Sequence, residues 1–289
     1  MESCRFANGE VNVNSIKLQQ SIRDFLVEDI GYGDKTAESI FDNSIPIVTA
    51  QMIAKDHGVF SGSEVIHLFY NQLNESIETS CKKKEGEIVK KGDVIAEFTG
   101  DARTILQGER VLLNIIQRMC GIASIVYRAN ECLNDSSIRI CDTRKTLPGL
   151  RMFDKAACRA GGGYNHRFGL DDGVMLKENH IAACGSIKEA VQRVKSILGP
   201  MVKIEVETTN QSEVEEAVAS GVDVIMFDHA TADQVRLYQQ LVPETTITEA
   251  SGNIDLNNIH TFAGTGVHYI SLGFLTHSVK ALDLSLLLK

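Results

Sequence analysis

The sequence lacks the spacings that mark several protein classes. Its seven cysteines (4, 81, 120, 132, 141, 158 and 184) form an odd, scattered set with no Cys-x-x-Cys pair, which argues against a disulfide framework or a cysteine-rich zinc site. The expectation is that most of them are small buried hydrophobes in a reducing compartment. Positive charge is in deficit, with 29 Lys and Arg against 38 Asp and Glu for a net charge of −9, so a general nucleic-acid binder is not expected. No apolar run approaches the ~18 residues that a membrane span needs, which excludes a membrane protein on this reading. The polar stretch from Met1 to Ser15 has no apolar core of the kind a signal peptide carries, so a cytoplasmic location is expected. There is also no Gly-x-Gly-x-x-Gly turn after the first strand of the second half, which weakens a dinucleotide-binding reading.

What is present is an ordinary globular composition, 43% hydrophobic and 23% charged, in 289 residues, enough for one large or two ordinary domains. Ile16, Ile22, Phe25, Leu26 and Ile30 predict an amphipathic helix from Ser15 to Asp29, ended by Gly31-Tyr32-Gly33-Asp34. From Ile47 to Gly100, short apolar runs broken by turns predict strands around one helix, Ser63 to Leu73. A long helical pattern, Arg103 to Tyr127, bridges to a second domain.

The second half alternates β-like and helix-like segments. Strands are predicted at Ile138–Cys141, Gly173–Leu176, Val202–Val206, Val222–Phe227, Thr245–Thr248 and Tyr269–Leu272. Helices are predicted at Phe153–Ala160, Ser186–Leu198, Gln211–Ser220, Ala232–Leu241 and Leu256–Ala263. Polar residues follow nearly every strand: Arg144-Lys145, Lys177, Glu207, Asp228, Glu249 with Ser251, and Gly273. A (β/α) barrel gathers such strand ends at one mouth, whereas an open sheet strings them along an edge. With six strands rather than eight, the expectation is a short or partly open barrel.

The region Cys141 to His180 holds seven Lys and Arg and five acids, a local excess of positive charge in an acidic chain. Arg pairs planar oxyanions bidentately and Lys acts as a point charge, so a polyanionic substrate is expected. Arg144, Lys145 and Lys177 follow strand ends and are read as functional; Lys155 and Arg159 are read as a solvated helix face. Glu207 and Asp228 suit ribose hydroxyls or Mg²⁺, with an ion pair to Lys177 as the competing explanation. Glu205 points the same way as Glu207 along a strand, so spacing does not choose between them. Ser251-Gly252-Asn253 and Ser271-Leu272-Gly273 offer backbone amides for a phosphate. Gly161-Gly162-Gly163 either lets backbone approach a ligand or ends a helix. His166 and His180 receive no proton-transfer role from sequence alone.

Taken together, Asp142-Thr143-Arg144-Lys145-Thr146, Pro148-Gly149-Leu150-Arg151, Gly161 to Arg167, Leu176-Lys177-Glu178-Asn179-His180, Glu205-Val206-Glu207 and Glu249-Ala250-Ser251-Gly252 resemble quinolinate phosphoribosyltransferases. Glu28 to Asp34, Gly108 to Asn114, Cys120 to Ser124 and the ending from Tyr269 to Asp283 are similar too, so the resemblance covers most of the chain. It implies an α/β protein with an N-terminal α/β sandwich over residues 1–118 and a barrel over 119–277, the tail 278–289 packing back on the first. It implies a homodimer, or dimers built into a hexamer, acting on quinolinate and phosphoribosyl pyrophosphate with Mg²⁺. By motif, Arg144, Lys145 and Arg167 would hold the quinolinate carboxylates with His166 nearby, and Arg110 would come from the partner subunit. Lys145 and Lys177 would face pyrophosphate and carboxylates, Glu207 and Asp228 the ribose and Mg²⁺, and Ser251, Gly252 and Gly273 the 5′-phosphate. His229 stands where relatives usually carry Asn, and Glu178 where Asp is usual. The competing readings are a relative using another base, a Schiff-base aldolase built on Lys177, and a phosphosugar sensor without turnover.

Overall fold

Asn14 starts the first helix, its side chain accepting the Lys17 N–H at 3.0 Å. The helix runs Ser15–Ile30 and stops at Gly31, whose φ of 55° a residue without Cβ adopts freely. Leu18, Ile22 and Leu26, spaced four apart, form its buried stripe, while Ile16 lies off that stripe and is exposed. This computed structural model describes residues 14–41, 44–74 and 76–289. Residues 1–13, which include Cys4 and most of the stretch read for a leader, lie outside the described residues.

The chain forms two compact units, one drawn from residues up to Tyr127 with Thr146–Gly162 and Ser278–Lys289, the other Arg128–Lys145 with Gly163–His277. In the first lie strands β1 (Ile47–Ala54), β2 (Gly58–Val59), β3 (Glu78–Cys81), β4 (Ile88–Val89) and β5 (Val94–Asp101). The second supplies β6 (Arg139–Cys141), β7 (Val174–Leu176), β8 (Ile204–Thr208), β9 (Val224–Asp228), β10 (Ile247–Ser251) and β11 (Tyr269–Ser271). The last strand, β12 (Leu284–Leu288), belongs to the first unit again.

The first unit is built on an antiparallel sheet of order β12-β1-β5-β3, with β2 and β4 as a separate pair. In β12 the pairing to β1 runs from Ala50↔Leu288 to Ala54↔Leu284. Phe60, Phe69, Tyr70 and Phe98 fill the core, with Phe69–Tyr70 and Tyr70–Phe98 ring pairs at 5.2 Å. The helix Ala102–Leu133 is long and apolar enough to cross a membrane by length and composition, which the sequence reading missed. Its Ile105, Leu112, Ile116 and Ile122 are fully buried in the protein, as in a core helix. The sequence boundary at 118 falls inside this helix.

The helix Arg151–Ala160 belongs to the first unit, where Phe153 packs on Phe25 with ring centroids 5.9 Å apart. Its polar residues are not the expected solvated face. Lys155 is only 2% exposed, Arg159 is half-buried, and the fully buried Asp154 takes a bidentate pair from Arg118 at 2.8 Å. Burial raises the Asp154 carboxyl above its ordinary range and Arg118 opposes that shift. Gly161 ends this helix; a Cβ there would lie 2.4 Å from the Ala123 carbonyl oxygen, so the glycine serves close backbone approach within the first unit.

The second unit is a six-stranded parallel sheet of order β6-β11-β10-β9-β8-β7 with helices between the strands. Its edge strands β6 and β7 are not paired with each other. The segment between them fills the seam: Tyr164 bridges Cys141 at the end of β6, and Arg167 Nη1 donates to the Gly173 carbonyl before β7 at 2.9 Å. Three strands start two residues later than the hydrophobic runs predict, so Glu207, Asp228 and Ser251 lie inside β8, β9 and β10 rather than after them. The ladder continues through these polar positions, pairing Ser251 with Asp228. The helix predicted over Leu256–Ala263 reduces to a 3-10 turn, Ile259–Phe262. Asp255 caps that turn, its side chain taking the N–H groups of Asn257 and Asn258, and the turn closes at Ala263, whose N–H bonds the His260 carbonyl three residues back.

Candidate active site

The carboxyl ends of the second unit's strands surround one cleft of about 570 Å³. Thr143, Arg144 and Lys145 reach it after β6 and Lys177 after β7. Glu207, Asp228, Ser251 and Ser271 reach it from β8, β9, β10 and β11, with Gly252 and His229 beside them. His166 and Arg167 enter from the seam. Of the residues picked out from sequence, Arg144, Lys145, His166, Arg167, Lys177, Glu207, Asp228, Ser251 and Gly252 therefore line one wall or another. Gly273 does not line it but borders Lys145: a Cβ there would come within 2.9 Å of Lys145 Cδ. Arg110 stands exposed on the helix Ala102–Leu133 and is not among the lining residues.

Positive charge concentrates on one side. Arg167 is partly buried, and both that burial and the like charge of Arg144 lower its pKa from the ordinary arginine value. Two guanidinium groups that disfavour each other form a site for an anion. Lys177 and Glu207 are in direct ion-pair contact, so the pair anticipated as a competing explanation exists, inside the cleft. Lys177 also precedes the helix Glu178–Cys184, a segment that sequence periodicity missed because it is short and has no buried residue. His180 belongs to that helix start, its Nδ1 accepting the Lys177 N–H at 3.1 Å.

On the opposite side the backbone turns sharply. Gly252 has φ 83°, and a Cβ there would meet the His229 ring at 2.7 Å. His229 itself adopts φ 58°, held by its N–H on the Ser251 carbonyl at 2.8 Å. Ser271 Oγ donates to Ser251 Oγ at 3.0 Å, tying the two final strands together at the point where Ser and Gly leave backbone accessible.

Beneath the cleft lies a cluster that the sequence did not announce. Glu205 and Glu249 are buried and face His166, whose Nε2 is 3.2 Å from Glu205 Oε2 and 3.5 Å from Glu249 Oε2. Glu249 was grouped with the strand-end residues at the mouth; it sits instead in the middle of β10, two residues deeper than Ser251. Burial, followed by the neighbouring Glu205 charge, pushes the Glu249 carboxyl up to about 7. The i, i+2 alternation of a strand, Glu205 with Glu207 and Glu249 with Ser251, was the available signal for a second polar layer. Asp142, fully buried, holds the same segment by accepting the His166 N–H at 2.9 Å and the Asn165 side-chain amide. A second cavity of about 430 Å³ opens below, lined by Asp172, Lys203, Glu205, Glu249 and Tyr269, with His166 and Arg167 facing both cavities.

Comparison with known proteins divides the chain once, near residue 121. Residues 34–120 match the family described as quinolinate phosphoribosyl transferase, N-terminal domain, and residues 122–287 its C-terminal domain. A probable nicotinate-nucleotide pyrophosphorylase [carboxylating] of Bacillus subtilis is 52% identical over 274 residues, covering 95% of this chain and 94% of that protein. The chloroplastic nicotinate-nucleotide pyrophosphorylase [carboxylating] of Arabidopsis thaliana is 38% identical, covering 93% and 82%. Among solved structures, NadC from Streptococcus pyogenes superposes with a TM-score of 0.92 at 37% identity, covering 96% of this chain and 98% of that one.

Proposed function

This chain belongs to the quinolinate phosphoribosyltransferase family, and on that premise we propose how its cleft divides between two substrates. The protein transfers the phosphoribosyl group of phosphoribosyl pyrophosphate to quinolinate with decarboxylation, giving nicotinate mononucleotide, pyrophosphate and CO₂ for NAD biosynthesis. The observation that carries the residue assignment is the meeting of four cations, Arg144, Lys145, Arg167 and Lys177, with two carboxylates, Glu207 and Asp228, in one cleft.

Arg144, Arg167 and Lys145 hold the quinolinate carboxylates, the two guanidinium groups taking planar oxyanions in fixed orientation. Ser251 and Gly252 receive the 5′-phosphate, with Gly273 leaving room for the Lys145 stem that crosses it. Glu207 and Asp228 face the ribose, where departure of pyrophosphate leaves positive charge on the anomeric carbon that a carboxylate stabilises. Lys177, paired with Glu207 before substrate arrives, turns to the departing pyrophosphate and the carboxylates. This ion pair differs from the apolar pocket that a Schiff-base lysine uses. Quaternising the ring nitrogen makes the adjacent carboxylate easier to lose, so the protein's work is orientation and charge placement rather than proton abstraction.

The donor set also fits Mg²⁺. Glu207 and Asp228, on adjacent strands, are hard oxygen ligands of the kind that hold Mg²⁺ together with substrate phosphates, and the ion would neutralise charge on pyrophosphate. Arg110, exposed and outside the cleft of its own chain, fits a residue donated to a partner subunit in a homodimer. We place the reaction in the cytosol, where the buried thiol of Cys120 stays reduced.

The test is formation of nicotinate mononucleotide from quinolinate and phosphoribosyl pyrophosphate, with nicotinate as control acceptor and with Mg²⁺ present or chelated. Mg²⁺-dependent product from quinolinate alone is expected; equal turnover of nicotinate would refute the carboxylate assignment, and full activity under chelation would refute the Mg²⁺ assignment.

A further inference from the structure

His166 is fastened at both ring nitrogens. Nδ1 accepts the backbone N–H of Arg167 at 2.7 Å, so that nitrogen presents a lone pair and carries no proton. The ring proton is then on Nε2, the nitrogen that faces Glu205 and Glu249. Both glutamates are buried, at 6% and 4% exposure, and Oε1 of each has no hydrogen-bond partner. Two acids buried side by side with an oxygen each unsatisfied is a costly arrangement, and what it faces is the His166 ring.

The ligand atoms of His166, Glu205 and Glu249 lie within 4.8 Å of one another, the separation a bound cation would also give. The tautomer decides against that use. A histidine that ligates a metal through Nε2 carries its proton on Nδ1 and donates it to an acceptor, whereas Nδ1 here receives an N–H.

We infer that Glu205 and Glu249 are positioning residues for the acceptor end of the cleft: through the Nε2–H form of His166 they hold the Arg167 backbone, and with it the guanidinium that takes a quinolinate carboxylate. The inference rests on the assignment of Arg167 above. The lever is short. His166 N–H is anchored on Asp142, Arg167 N–H on His166 Nδ1, and the Arg167 side chain on the Gly173 carbonyl, so the segment has one fixed course from β6 to β7. Without the two carboxylates, the Nε2–H has lost its acceptors and nothing holds that side of the ring. The ring then turns toward another acceptor, Nδ1 leaves the Arg167 N–H, and the segment shifts.

The experiment joins a spectrum to a kinetic split. In ¹⁵N-histidine-labelled wild-type protein, the His166 resonances, assigned by their loss in His166→Asn, are expected to show a neutral ring protonated at Nε2. An Nδ1–H ring, or a stoichiometric tightly bound metal in the purified protein, would overturn the inference without any variant having to fold. The double variant Glu205→Ala with Glu249→Ala is expected to raise the quinolinate KM by about tenfold or more while the phosphoribosyl pyrophosphate KM stays near wild type. The Gln pair, whose side-chain oxygens still accept from Nε2–H, should restore the quinolinate KM. An unchanged quinolinate KM in a folded Ala pair, or an equal rise in both KM values, would overturn it. Arg167→Ala serves as the separate control: if that variant keeps its quinolinate KM, the assignment of Arg167 fails even though the tautomer stands.

Discussion

Replacing Glu249 by Gln keeps its shape and removes its charge, which turns an electrostatic feature into a measurable slope. Its carboxyl is raised to about 7 from an ordinary 4.5, chiefly by burial. Below pH 4.5 both the folded and unfolded chains hold this proton and its stabilising effect is complete. Between 4.5 and 7 the unfolded chain loses the proton first, so stability falls as pH rises; above 7 the whole contribution, on the order of 3 kcal/mol, is gone. Urea unfolding at pH 5 and pH 8 should therefore show Glu249→Gln gaining on the wild type at the higher pH, and parallel curves would mean that Glu249 is ionised throughout. At the same scale, Arg144→Ala and Arg167→Ala should each cost about 2–5 kcal/mol of transition-state stabilisation, read as kcat/KM for quinolinate, with the unfolding midpoint little changed. Wild-type kinetics in either would remove that residue from the acceptor subsite. Lys177, Glu207 and Asp228 were readable in sequence because each marks the end of an apolar run. Glu205 and Glu249 were visible as polar strand positions, but their burial and their meeting at His166 were not, since those depend on neighbours that only the fold brings together.

Elements were legible where periodicity was strong and illegible where a segment was short and exposed, as in the helix Glu178–Cys184. The helices Ile187–Ile197, Gln211–Ala219 and Ala232–Gln239 lie within two residues of their predicted bounds, each opened by a capping Ser, Asn or Thr. The helix Arg151–Ala160 was found at nearly its right place but given the wrong environment, because its charged residues read as solvated. Spacing of four places Lys155 and Arg159 on one face; it does not say that the face is covered. Asp154 on this helix and Arg118 give the test. Removing the guanidinium with Arg118→Ala leaves a carboxylate in a fully buried position, and a loss of about 3–5 kcal/mol is expected in denaturant unfolding. The variant Arg118→Ala with Asp154→Leu, which leaves no stranded charge, should recover a substantial part of that loss. If the single and double variants are equally unstable, packing rather than charge accounts for the effect.

At the scale of the whole molecule, the proposed donation of Arg110 to a partner subunit has its own test. Arg110→Ala and Lys145→Ala should each lose activity, and mixing them should restore a fraction of it after the subunits exchange, because one kind of mixed cleft then holds both wild-type groups. No recovery after demonstrated exchange would place the whole site within a single chain. The partly open barrel was foreseen from six strand-like runs with polar ends, but the way its seam is filled was not, because Tyr164 and Arg167 lie in a segment with no periodicity to read.

The strand β12 has a further consequence, one that concerns synthesis. It is the edge partner of β1, although some 230 residues separate the two in sequence. A ribosome emits β1 before the second unit and residues 284–288 after it, so while the second unit is being made the growing polypeptide carries β1 with the side that faces β12 unpaired. The sheet of the first unit is completed only after the entire second unit has been made. A nascent chain of this protein therefore has a long period in which an exposed strand edge invites pairing with its neighbours on the same messenger, and the emergence of residues 284–288 brings that period to an end.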